Sequence, residues 1–197
     1  MMQIVIATRN EDKFREISEI LGDSSVEALP LTDFKDAPEV DETGETLEEN
    51  ALLKAKSASK ATGLPAIADD TGLFVDAIDG EPGVRSSRFA GENATYEDNR
   101  NLLLSKLEGI PEESRTAKFV CIAALVDGAN SISTKGEVKG IITITSRGSN
   151  GFGYDPIFQS EHSEKTFGEL SADEKRAFSH REKAFSEMLR ILKEMYA

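Results

Sequence analysis

Residues 64–72, Leu-Pro-Ala-Ile-Ala-Asp-Asp-Thr-Gly, constrain the fold more than any other stretch. A short apolar run bounded by Gly63-Leu64-Pro65 and by Asp69-Asp70-Thr71-Gly72 suits a strand in a covered sheet. In open α/β sheets such strand ends face the crevice where ligands bind. Adjacent carboxylates at that rim repel, and a cation relieves the repulsion by taking oxygen ligands from one or both. The competing reading is a solvated Asp-Asp-Thr-Gly turn, so the rest of the chain has to decide.

A chain of 197 residues supports one substantial domain, residues 1–197. At that size folding buries roughly 70% of the unfolded surface, so no disulfide or metal staple is required. The single cysteine, Cys121, sits within the apolar run 119–126 and reads as a small core residue. With no signal-like opening and no apolar run near the ~20 residues of a membrane helix, the expectation is a soluble cytoplasmic protein without membrane partners. A formal charge of −13 argues against nucleic-acid binding, which needs clustered Lys and Arg. A small anionic ligand would need a local basic pocket or a divalent cation.

Taken in order, residues 3–8 read as a strand and 14–21 as a helix, with Asn10 as N-cap and Gly22 at the C′ stop. A second strand is expected over 26–31, followed by an acidic loop over 33–49 whose charges are mostly solvated. Thr46 and Glu49 form a capping box for a helix ending at Gly63. Leu47, Ala51, Ala55 and Ala58 make its apolar side. Residues 73–75 read as a further strand segment, 95–107 as a helix, and 117–126 as the most apolar strand. A turn at 127–130 leads into a strand over 131–135, and 137–145 continues the β-rich portion. Capping signals at Ser171/Glu174 and Ser179/Glu182 precede a helix with the stripe Phe185, Met188, Leu189 and Leu192. Early alternation of helices and strands followed by a β meander implies one mixed α/β sheet.

Three further places carry chemistry. The joint Thr8-Arg9-Asn10-Glu11-Asp12-Lys13 leads a strand into a helix N-terminus, where free N–H groups and Lys13 could meet an anion. A solvated lysine is the alternative. Lys54 borders the apolar side of its helix and either snorkels to solvent or points toward Asp69 and Asp70. The stretch 147–158 has three glycines within six residues around Phe152. It could lay an aromatic ring on a planar ligand, or bury Phe152 and Tyr154 in a decorated turn. Ser179-His180-Arg181 gathers hydrogen-bond donors at a helix start.

Residues 8–13, 68–72, 151–156 and 179–181, in this order, resemble the inosine triphosphate pyrophosphatase family, the non-canonical purine NTP pyrophosphatases or XTP/dITP diphosphatases. The resemblance implies an α/β fold with a long central mixed sheet flanked by helices, two lobes with the active-site cleft between them, and a homodimer. It also implies Mg²⁺-dependent cleavage of the α–β phosphoanhydride of ITP, dITP or XTP to a nucleoside monophosphate and pyrophosphate. Carried across by motif, Asp70 is the general base and a metal ligand, Glu42 a second ligand, and Asp69 their neighbour. Thr8, Asn10, Lys13 and Lys54 belong to the triphosphate end, Arg9, Glu11 and Asp12 count among the substrate-binding residues, and Thr71 contacts substrate beside the acid. Phe152, Gly153, Tyr154, Asp155, Lys175, His180 and Arg181 belong to the nucleoside end. Two other functions remain open on the residues: a nucleotide-binding sensor without catalysis, and a pyrophosphatase for modified pyrimidine triphosphates.

Overall fold

The structure, a computed structural model, describes residues 2–22 and 26–195. Its strands are β1 (Met2–Ile6), β2 (Val26–Pro30), β3 (Ala66–Val75), β4 (Pro82–Gly83), β5 (Thr116–Asp127), β6 (Asn130–Ile142) and β7 (Phe158–Ser160). The helices are α1 (Glu11–Leu21), α2 (Leu47–Thr62), α3 (Tyr96–Lys106), α4 (Ala172–Arg176) and α5 (His180–Met195). The sheet runs β2-β1-β3-β5-β6-β7, with β4 paired to β3 off this path. It is mixed as expected: β1 pairs in parallel with β2 and β3, while β3–β4 and β6–β7 are antiparallel. No helix among the described residues is long and apolar enough to cross a membrane.

The chain divides into two compact units. Unit 1 comprises Met1–Asp70, Cys121–Gly136 and Arg181–Ala197; unit 2 comprises Thr71–Val120 and Glu137–His180. In unit 1 the period of two along each strand sorts residues onto two faces. Ile4, Ile6, Ile67 and the buried Cys121 pack with Ile17 and Leu21 of α1 and with Phe185, Met188 and Leu192 of α5. Val5, Ala7, Ala66 and Ala68 pack with Ala51, Ala55 and Ala58 of α2. Small side chains there let α2 lie close to the sheet. The Thr46/Glu49 capping box starts α2, and Gly63, left-handed at φ 71°, stops it.

Unit 2 has its own core, in which Leu103 and Leu107 pack with Phe119, Val138, Phe158 and Phe167. Thr95 and Asp98 cap α3 and Ser171 and Glu174 cap α4, both as reciprocal boxes. Tyr154 belongs to this core, and its hydroxyl donates to the Ser86 carbonyl at 2.8 Å.

Three local expectations are corrected. Residues 69–72 are not a turn at a strand end, because β3 continues through them to Val75. Gly72 marks a close approach instead: a Cβ there would stand 2.7 Å from the Gly83 carbonyl on the neighbouring β4 strand. The strand expected over 131–135 is longer, since β6 runs on to Ile142 with Thr134, Gly136 and Val138 keeping the inward alternation without a break. Gly22 ends α1 with right-handed torsions (φ −62°, ψ −24°) rather than as a left-handed stop.

Candidate functional site

Because successive side chains of a strand point to opposite faces, the two neighbouring acids of β3 part company. Asp70 follows Ala66 and Ala68 toward α2, while Asp69 follows Ile67 toward α1 and α5. The mutual repulsion expected of adjacent carboxylates is therefore met by separate partners for each. Both acids are buried.

On the α2 face, the Lys54 ammonium donates to Asp70 Oδ1 at 3.0 Å and to Glu42 Oε1 at 2.8 Å. Of the two readings of Lys54, the turned-in one holds. Asn50, one helical turn earlier, donates to Asp70 Oδ2 at 3.4 Å. Burial pushes the Asp70 carboxyl above its ordinary value, and the opposing pull of Lys54 and Lys13 does not cancel this. For Lys54, burial works to lower the pKa, but Asp70, Asp69 and Glu42 together outweigh it and hold the ammonium charged. Glu42 turns inward, while its neighbours Asp41, Thr43 and Glu45 are exposed.

On the opposite face, Lys13 of α1 sits 3.2 Å from Asp69 Oδ1. Arg181 of α5 reaches Asp69 Oδ2 through Nη2 at 3.1 Å and Nε at 3.4 Å, and its Nη1 pairs with Glu16 of α1. The guanidinium is fully buried; burial alone would weaken its charge, and Asp69 and Glu16 more than restore it. Sequence reasoning grouped Arg181 with His180 as donors toward a nucleobase. In the structure the Arg181 guanidinium pairs with Glu16 and Asp69, carboxylates of unit 1.

The joint leading into α1 is more self-satisfied than its sequence implies. Asn10 Oδ1 accepts from the backbone N–H groups of Asp12 (3.0 Å) and Lys13 (3.1 Å), so these two are not open to an anion in this conformation. Thr8 Oγ1 accepts from Asn10 N at 3.1 Å. Arg9 donates to the Ala37 carbonyl at 2.7 Å, Asp12 pairs with Arg15, and Glu11 is exposed. Of this motif, Lys13 reaches an acid of β3.

Unit 2 holds the remaining candidates. Asp155 Oδ2 accepts from the Lys175 ammonium at 2.7 Å and from Phe152 N at 2.9 Å, a buried ion pair that pins the glycine-rich loop. The Lys175 ammonium also lies 5.3 Å from the Phe152 ring centre. Phe152 is half-buried and tilts against Tyr96 at 5.9 Å, Gly153 receives Arg100 on its carbonyl at 2.8 Å, and Thr71 is half-buried on β3. The two readings of this loop divide between its aromatics: Tyr154 goes into the core, whereas Phe152 stays half-buried. His180 is buried and stacks on Phe119 at 4.6 Å.

A family model described as the Ham1 family matches residues 4–191. A dITP/XTP pyrophosphatase of Geobacter sulfurreducens is 50% identical over 187 residues, covering 94% of each chain. The chain belongs to the Ham1 family. Two solved Ham1 proteins share its fold. That from Coxiella burnetii gives a TM-score of 0.89 at 42% identity, covering 98% of this chain and 100% of the other. That from Staphylococcus aureus gives 0.86 at 39% identity, covering 98% and 99%. The resemblance carried by the four motifs is borne out at the level of family and fold.

Within this Ham1 chain, Glu42 and Asp70 present oxygen donors to one shared point, now filled by the Lys54 ammonium. Two carboxylates of this kind suit a hard divalent cation that completes its shell from water and substrate phosphates. The charge balance agrees: Glu16, Glu42, Asp69 and Asp70 outnumber Lys13, Lys54 and Arg181. No group of three or more His, Cys, Asp or Glu able to hold a metal occurs among the described residues. Sequence reasoning missed Asn50 and Glu16. Helical spacing was the available signal, since Asn50 stands four residues before Lys54 and Glu16 three after Lys13.

Proposed function

We propose that this Ham1-family enzyme hydrolyses the non-canonical purine nucleoside triphosphates ITP, dITP and XTP at the α–β phosphoanhydride, yielding a nucleoside monophosphate and pyrophosphate, with Mg²⁺. The observation that carries the reading is Asp70: a buried carboxyl with a raised pKa, flanked by a lysine and by a second carboxylate able to share a cation. Relatives named dITP/XTP pyrophosphatase at 50% and 44% identity supply the substrate class.

In this reading Asp70 takes a proton from a water as its oxygen attacks the α-phosphorus, and the P–O bond to the departing pyrophosphate breaks. A base of raised pKa holds the proton better than an exposed aspartate would. Lys13 and Lys54 carry three donors each and can oppose the charge of phosphate oxygens. Glu42 and Asp70 would hold Mg²⁺, which neutralises phosphate charge when bound. In unit 2, Phe152 offers a ring face suited to a planar base. His180 and the Lys175–Asp155 pair hold the shape of that region by stacking and charge. The reading includes a homodimer acting on free nucleotides in the cytoplasm, with no nucleic-acid or membrane partner.

The test is a panel of ITP, dITP, XTP, ATP, GTP and modified pyrimidine triphosphates incubated with Mg²⁺ and scored by product. Monophosphate and pyrophosphate from the inosine and xanthosine substrates, at much higher kcat/KM than from ATP, is the expected result. Release of orthophosphate, preference for pyrimidines, or binding without turnover would overturn it.

A further inference from the structure

Asn50 is wholly buried near the start of α2, a place where an asparagine has little intrinsic reason to be. A buried carboxamide is costly unless both of its ends are hydrogen-bonded. Here both are. Its Oδ1 accepts from the Gly44 backbone N–H at 2.8 Å, and its Nδ2 donates to Asp70 Oδ2 at 3.4 Å. Gly44 follows Glu42 by two residues in the acidic loop.

These bonds close a ring. Glu42 and Asp70 are tied once through Lys54, by charge, and a second time through Gly44 and Asn50, by a neutral amide. Asn50 and Lys54 stand one helical turn apart, so α2 presents both ties on the same side. Close packing reinforces the neutral tie: a Cβ at Gly44 would lie 2.6 Å from Asn50 Oδ1 and 2.7 Å from Glu49 Cβ. We infer that Asn50 is a positioning residue which, with Gly44, sets the Glu42-bearing loop against Asp70 so that both carboxylates meet one divalent cation. The charged tie through Lys54 is one that a competing cation can weaken, while the amide tie carries no charge to lose. This inference rests on the proposed Mg²⁺ site.

The experiment compares wild type, Asn50→Ala and Gly44→Ala, each checked for native far-UV circular dichroism. Two readouts are taken: the rise in Tm on titrating Mg²⁺ alone, and the Mg²⁺ half-saturation of pyrophosphate release from ITP. Both variants are expected to need at least about tenfold more Mg²⁺ in each assay, with kcat recovering substantially at saturating Mg²⁺. A merely structural defect would lower Tm without shifting the Mg²⁺ dependence. Unchanged Mg²⁺ half-saturation in a folded Asn50→Ala protein overturns the inference, as does a wild type whose Tm ignores Mg²⁺. Should Asn50→Ala fail to fold, Gly44→Ala decides alone, since it disturbs the tie from the solvent-side loop. A wild type that binds Mg²⁺ but leaves ITP intact overturns the proposed reaction; shifted Mg²⁺ binding in the variants would still support the positioning role.

Discussion

Asp69 and Asp70 are neighbours in sequence with opposite consequences when neutralised. Asp70→Asn keeps an acceptor for Lys54 but loses the base, a metal ligand and the acceptor for Asn50, so kcat should fall by at least ~10²-fold while the fold persists. Turnover of ITP beside a thermal melt checks both halves. Because burial holds the Asp70 carboxyl above its ordinary value of 3.8, the base form is lost on acidification at a higher pH than an exposed aspartate would give. In the protein free of divalent cations, the Asp70 carboxyl should therefore titrate above that ordinary value, as carboxyl-carbon NMR would read. Stability runs the other way: with the folded pKa raised, this group's contribution is best below 3.8 and is lost as pH rises through the folded value. Asp70→Asn should consequently be no less stable than wild type at neutral pH. Asp69→Asn differs because it strips a buried guanidinium of the Asp69 carboxylate, which should cost about 3 kcal/mol. Urea melts of the two variants, side by side, would expose the contrast.

At the scale of the element, α2 is the part on which the chemistry depends. Its alanines let it approach the sheet, and that approach brings Lys54 and Asn50 within reach of Asp70. Ala55 is fully buried there. Ala55→Leu should overpack the contact, cost about 1–3 kcal/mol, and lower kcat as well by moving the helix off the strand. Leu53→Ala, at an exposed position of the same helix, is the control and should change neither. Equal activity in the two variants would show that the placement of α2 is not critical. Much of this element was legible beforehand: the capping box, the alanine stripe and the stop at Gly63 all lie within α2 and its immediate flanks. The inward turn of Lys54 was not, because a helix sequence shows which side a residue is on and not what stands opposite.

For the molecule as a whole, a formal charge of −13 opposes the approach of an anionic nucleotide. The candidate site does little locally to reverse this, since Lys13, Lys54 and Arg181 are already paired with carboxylates. Added salt screens such repulsion over a Debye length of about 10 Å at 0.1 M. At fixed saturating free Mg²⁺, kcat/KM for ITP should therefore rise as KCl is increased toward about 0.1 M. A steep fall would show that a local positive field governs encounter.

What the sequence determined by itself was local or carried by pattern. Periodicity and caps placed the helices and the α/β class, the run at 119–126 buried Cys121, and the four motifs named the family. Only the tertiary structure could decide the rest. That Gly72 is a close approach rather than a turn depends on β4, eleven residues away, coming to lie beside it. That Arg181 serves Asp69 depends on α5 packing beside α1, more than a hundred residues apart in the chain. The two acids point to opposite faces because β3 continues through them, and which cation each one meets is set by the helix covering its face.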